Sequence, residues 1–135
     1  MQYIHKFGEK YKDYLYVLFR VLVGGLFLIH GAQKMFGWFG GTKVDSLVSL
    51  MGVGGIVEFF GGLLILLGLF TRLAALVSAI QMVVAYFMFH APGGWNPVAN
   101  KGELALLYFV AFLVLVIYGN QKWNVEQWLL GKETF

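Results

Sequence analysis

Residues 53–89 read VGGIVEFFGGLLILLGLFTRLAALVSAIQMVVAYFMF, and the way this run divides decides the fold. As one helix it would be roughly 55 Å long, well beyond the ~30 Å hydrocarbon core of a bilayer. Gly68, Thr71 and Arg72 interrupt the apolar sequence, so a tight hairpin at Gly68–Arg72 is expected. It separates two spans at about residues 53–70 and 73–90. Two more apolar stretches lie at about 14–34 and 103–119, the latter short enough to need its flanks. The pattern predicts an all-α integral membrane four-helix bundle, up-down-up-down, with residues 1–135 forming a single domain.

Composition leads to the same class. Hydrophobic residues make up 59% of the chain and charged residues 13%, and the mean hydropathy is +0.73. Soluble domains carry about 25% charged residues, and a soluble core of this size could not shelter so much apolar surface. The net charge of +3 comes from scattered basic residues without a stripe, so no nucleic-acid partner is expected. Cysteine is absent, which removes disulfides, thiolate nucleophiles and cysteine-ligated metal centres. No cleavable signal peptide is expected, because the first apolar run carries Arg20 and lacks a small-x-small cleavage site.

Orientation follows from the basic residues outside the spans. Lys6, Lys10, Lys12, Arg72, Lys122 and Lys132 fall on one side of a four-span chain, against Lys34, Lys43 and Lys101 on the other. The positive-inside rule then places both termini in the cytoplasm, in a bacterial-type plasma (inner) membrane. Trp38 and Trp95 fall in the outer connections, Trp123 and Trp128 in the inner tail, as interfacial belts require. Thr42-Lys43-Val44-Asp45 has the form of a capping box. Val44, Leu47, Val48 and Met51 then repeat at helical spacing, predicting a short interfacial helix after the first span. A second short helix is expected in the tail over residues 124–130.

The ionisable residues inside this apolar chain mark where chemistry belongs, since an intramembrane charge costs about 2.5–3.5 kcal/mol on insertion scales. Arg20, Gly24, Phe27, Gly31 and Lys34 share one face of the first helix, with His30 flanking it. Arg20 and Lys34 are about 21 Å apart along the axis, so they cannot share one small ligand head. Glu58 rides on a face with Gly54, Gly55, Gly61 and Gly62, which admits a close neighbouring helix. It lies only about 8 Å below the surface that His30 and Lys34 occupy, so a Glu58–Lys34 or Glu58–His30 contact is expected rather than Glu58–Arg20. Tyr86 and His90 end the third helix, Glu103 and Tyr108 begin the fourth, and Gln81 sits near the middle of the third. The predicted ligand-binding set is Arg20, His30, Lys34, Glu58, Tyr86, His90, Glu103 and Tyr108. Glu58, His30 and His90 are the candidates for catalysis, and residues 91–102 form a lid. Arg20 and Arg72 make a separate inner-side feature. No pair of ligands has the tight spacing of a metal motif. The alternative for Glu58 is an ion pair that only locks the bundle, and for the histidines ordinary positions at headgroup level.

Two long motifs carry a resemblance. The first is Arg20-Val-Leu-Val-Gly24-Gly-Leu-Phe27-Leu-Ile-His30-Gly31-Ala-Gln-Lys34-Met-Phe36-Gly37. The second is Val57-Glu58-Phe-Phe-Gly61-Gly62, running on to Gly68, Thr71, Arg72 and Ala75. With His90-Ala-Pro92 and Gly102-Glu103 they resemble the DoxX family of small four-span membrane proteins. Residues 95–101 depart from the glycine-rich connection of that family. The resemblance implies a redox-associated subunit, linked to thiosulfate:quinone oxidoreduction or to oxidative-stress enzymes. A quinone-like or small sulfur or polar ligand would then occupy the intramembrane pocket. The cofactor expected on this reading is a quinone. The partners are the lipid bilayer, a redox partner protein and further copies of the chain in a homo-oligomer. Two other readings stand beside it: a non-catalytic scaffold recruiting a soluble partner, and a small transporter subunit.

Overall fold

The computed structural model describes residues 1–134. Helix α1 runs over Gln2–Phe36, α2 over Leu50–Leu67, α3 over Thr71–Ala85, α4 over Glu103–Tyr118 and α5 over Val125–Leu130. Three helical stretches, Gln2–Phe36, Leu50–Leu67 and Thr71–Gly93, are long and apolar enough to cross a membrane, and Glu103–Tyr118 is a shorter apolar helix. The protein is an all-helical membrane bundle. Leucines such as Leu15, Leu22, Leu76 and Leu107 are exposed on its outer surface, where lipid rather than water is their solvent.

Glycine determines how α1 meets α2. A Cβ at Gly24 would lie 2.5 Å from the Leu66 nitrogen and 2.9 Å from the Gly62 oxygen, and one at Gly31 would strike the backbone of Phe59. The two helices therefore touch backbone to backbone, as small residues permit in membranes. Small residues on α3 (Ala74, Ala75, Ser78 and Ala79) are buried likewise. The core they surround contains Phe27, Ile65, Phe112 and Leu115, each essentially inaccessible. Phe27 meets Phe112 edge-on at 4.7 Å and Tyr108 at 5.2 Å.

The hairpin between α2 and α3 falls where the sequence places it. Gly68 has φ 67°, and Leu69 N–H donates to Leu64 O at 2.9 Å, which ends α2 in a Schellman-type turn. The connection after α1 differs from expectation. Residues 42–49 are irregular chain with a bend at Asp45 and a turn at Leu47–Val48 rather than a helix, and the short helical piece is a 3-10 turn over Trp38–Gly40. Val44 N–H is drawn back to Lys34 O (2.9 Å), so the Thr42 box never starts a helix. Ser49 is the cap instead, its side chain accepting from Gly52 N–H at 3.0 Å. The tail helix α5 forms as expected, with Asn124 accepting from Gln127 N–H at 2.7 Å.

At the end of the bundle that carries α5, the chain returns onto itself. Arg20 is buried and donates to Asn120 O (2.5 Å), Lys122 O (3.1 Å) and Trp123 O (2.7 Å). Glu126, also buried, accepts from Asn120 Nδ2 (2.6 Å), Phe70 N–H (3.1 Å) and Thr134 N–H (2.6 Å). Thr71 Oγ1 donates to Asn120 Oδ1. These bonds satisfy polar groups that burial would otherwise leave costly.

Candidate functional site

The other end of the bundle holds two adjoining cavities. A chamber of about 190 Å³ lies among α1, α2, α3 and α4, and His30, Lys34, Glu58, His90, Lys101 and Tyr108 line it. A cleft of about 450 Å³ runs between α2 and α3, walled by Val53, Val57, Val77, Ile80, Val84 and Phe89. Lys34, Ala85 and His90 border both.

Glu58 sits at the junction. It lies eight residues into α2, about 12 Å from the start of that helix at 1.5 Å per residue. Its side chain is only 4% exposed, and Oε1 accepts from Lys34 Nζ at 2.5 Å. The same oxygen accepts from Gln81 Nε2 at 2.9 Å, and that amide also reaches Gly54 O at 3.2 Å. Glu58 Oε2 and Gln81 Oε1 are both buried without a partner. Glycine makes the meeting possible: a Cβ at Gly55 would lie 2.9 Å from Lys34 Cβ, and one at Gly54 3.2 Å from Gln81 Nε2.

The predicted residues divide between this end and elsewhere. His30 reaches the chamber, its ring edge-on to Tyr108 at 6.0 Å. His90 closes a π-helical turn over Tyr86–His90, and Nδ1 lies 3.2 Å from Asn100 O. That carbonyl can only accept, so Nδ1 bears the hydrogen of this contact. Arg20 is not part of the chamber; it stands on α1 at the opposite end, tied to the tail carbonyls. Tyr86 is not there either, because the π turn sets its ring against Gly102 and its hydroxyl accepts from Asn100 Nδ2 at 3.4 Å. Glu103 is exposed in the first turn of α4, where a negative charge suits the helix dipole. Lys101, an exposed residue with a left-handed backbone at φ 61°, borders the chamber instead. Gln81 and Lys101 are the two polar members missing from the predicted set. Among the described residues, no group of three His, Asp or Glu side chains could hold a metal ion.

The chain matches the family described as DoxX over residues 15–91, which takes in Lys34, Glu58, Gln81 and His90. It belongs to the DoxX family. The DoxX protein is 40% identical to an uncharacterized protein of Haemophilus influenzae over 118 residues, 82% of this chain and 87% of the other. It is 31% identical to the inner membrane protein YqjF of Escherichia coli, over 93% of this chain and 98% of that one. An uncharacterized membrane protein of Mycobacterium tuberculosis is 29% identical over 87% of this chain and 83% of its own. No solved structure matches this DoxX protein.

Proposed function

We propose that this DoxX protein binds a ring-headed amphiphile of the quinone class in an inner membrane, as the ligand-binding subunit of a redox assembly. The observation that carries this reading is the Glu58–Lys34–Gln81 junction, built on a buried carboxylate where a small polar chamber meets a larger apolar cleft. A cavity of about 150 Å³ accepts a benzene ring, so a chamber of about 190 Å³ has room for a substituted ring head. The cleft's size falls within the roughly 300–1,000 Å³ of ligand pockets, and its half-exposed valines open it sideways between α2 and α3. A head–tail ligand fits this plan, its polar ring inside and its chain leaving toward lipid.

A quinone bound there would supply the electron-carrying ring, and the chain's own residues would hold and orient it. Glu58 anchors the head through its open oxygen, with Lys34 setting the local potential. His30 supplies a proton beside the chamber, and His90, its Nδ1 held by Asn100 O, accepts one at Nε2. The chain has no cysteine and therefore no thiol couple, so a partner protein would carry the electrons. The reading includes four spans and cytoplasmic termini, supported by the distribution of Lys and Arg and by the alternating course of α1 to α4. The description of YqjF supports the inner membrane as its location.

The α1–α2 ion pair also favours a second reading, in which it locks a scaffold that recruits a soluble partner. Glu58→Gln separates the two. Wild type and variant are purified in mild detergent, and bound quinone is extracted and quantified alongside thermal stability. A folded variant that has lost its quinone supports the ligand reading. No quinone in the wild type, or equal amounts in both, refutes it. Collapse of the variant, with no quinone in the wild type, favours the scaffold.

A further inference from the structure

The atoms left unsatisfied at the site have one chemical character. Glu58 Oε2 is an oxygen of a carboxylate already paired with Lys34, and Gln81 Oε1 is an amide oxygen; both are buried and both accept. The orientation of the Gln81 amide is forced, because its Nε2 donates to Glu58 Oε1 and Gly54 O, leaving only the oxygen free. His90, with Nδ1 donating to Asn100 O, adds Nε2 as a third acceptor whenever its ring carries a single proton. These three residues border the chamber, the cleft or both.

From this the structure assigns a preference: the site selects ligands whose head presents hydrogen-bond donors, a hydroxyl-bearing ring over its carbonyl form. This rests on the ligand reading above and narrows it. A carbonyl head would accept from Lys34, His30 or Lys101 but could not satisfy Glu58 Oε2 or Gln81 Oε1. A hydroquinone has two hydroxyls, and each has one hydrogen to donate to an open oxygen and lone pairs that accept from the lysines or His30. Buried acceptors left empty by the wrong ligand are what turn one hydroxyl into discrimination.

The test uses the full chain in lipid nanodiscs and three probes with the same decyl tail: a benzoquinone, its hydroquinone kept anaerobic, and the hydroquinone dimethyl ether. The ether keeps the ring and both oxygens, carries two added methyls in place of the donors, and does not interconvert with the quinone. Dissociation constants are measured by ligand partitioning, with empty nanodiscs as blank. The expected result is hydroquinone binding at least tenfold tighter than both other probes. In a folded Gln81→Leu variant that ratio should shrink severalfold, with quinone affinity changed little. Equal binding of all three probes by the wild type overturns the donor preference and leaves the ligand reading standing. Binding of none overturns both.

Discussion

Arg20 ties the tail to the bundle, and its removal has a local and measurable consequence. The guanidinium is 1% exposed and holds three carbonyls of the segment that leads into α5. Gly68 makes room for it, since a Cβ there would come within 3.0 Å of Arg20 Cζ and 2.6 Å of Asn124 Cβ. Hydrogen bonds to a charged group contribute about 1.5–3 kcal/mol each. The three would sum to roughly 5–9 kcal/mol, but freed carbonyls near the bundle end regain water, so a net cost of about 3–4 kcal/mol is expected for Arg20→Met. At about 1.4 kcal/mol per decade this raises the open population of the tail roughly 10²–10³-fold. Hydrogen exchange in detergent reads it directly, because Glu126 N–H is held by Gly68 O at 3.1 Å and Phe70 N–H by Glu126 at 3.1 Å. Amides of residues 124–130 should exchange faster by that factor while the middle of α2 stays protected, and Arg20→Lys should fall between. Unchanged tail exchange in a folded Arg20→Met protein would refute the reasoning.

Three further outcomes follow from other contacts. Lys34→Ala strands the Glu58 carboxylate and should cost about 3–5 kcal/mol of stability, whereas Lys34→Met with Glu58→Gln should recover much of it; a double-mutant cycle in detergent showing no coupling would contradict the pairing. Gly31→Ala drives a methyl into the Phe59 backbone and should lower stability by at least about 1–3 kcal/mol, while Gly8→Ala, with nothing within 4 Å, should raise helicity and gain up to about 1 kcal/mol; circular dichroism melts separate the two. Asn100→Ala removes the side chain that donates to Gly94 O (2.9 Å) and accepts from Gly102 N–H (2.8 Å), so limited proteolysis should cut residues 94–101 several-fold faster.

Most of the architecture was legible because a membrane leaves the chain few choices. Every backbone group must bond within its own helix, so the lengths of apolar runs and the breaks at Gly68 and Arg72 translate almost directly into elements. The connection after α1 was not legible in the same way. Its capping box and apolar spacing are local signals, and they lost to a hydrogen bond from Val44 back to Lys34 and to a better cap at Ser49. Lys101 was counted among the outer-side charges, because sequence carries no sign that the folded connection sets it beside the chamber.

Depth along a helix is arithmetic, and rotation about its axis is not. Counting residues was enough to set Glu58 level with Lys34 and to keep Arg20 away at the opposite end. Gln81 could be placed at the right depth by the same count, yet nothing in its spacing showed that it faces α2. That rotation is set by packing. Ala74, Ala75, Ser78 and Ala79 bury one side of α3 against the core, and this brings Gln81 within reach of Gly54 O and Glu58. Gly54 and Gly55 complete the fit, because a methyl at Gly55 would press on Lys34 Cβ at 2.9 Å and one at Gly54 would crowd Gln81 Nε2 at 3.2 Å. The polar junction is thus a product of small apolar residues: they set how closely the helices approach, and that spacing lets a lysine and an amide share one oxygen while the other stays open.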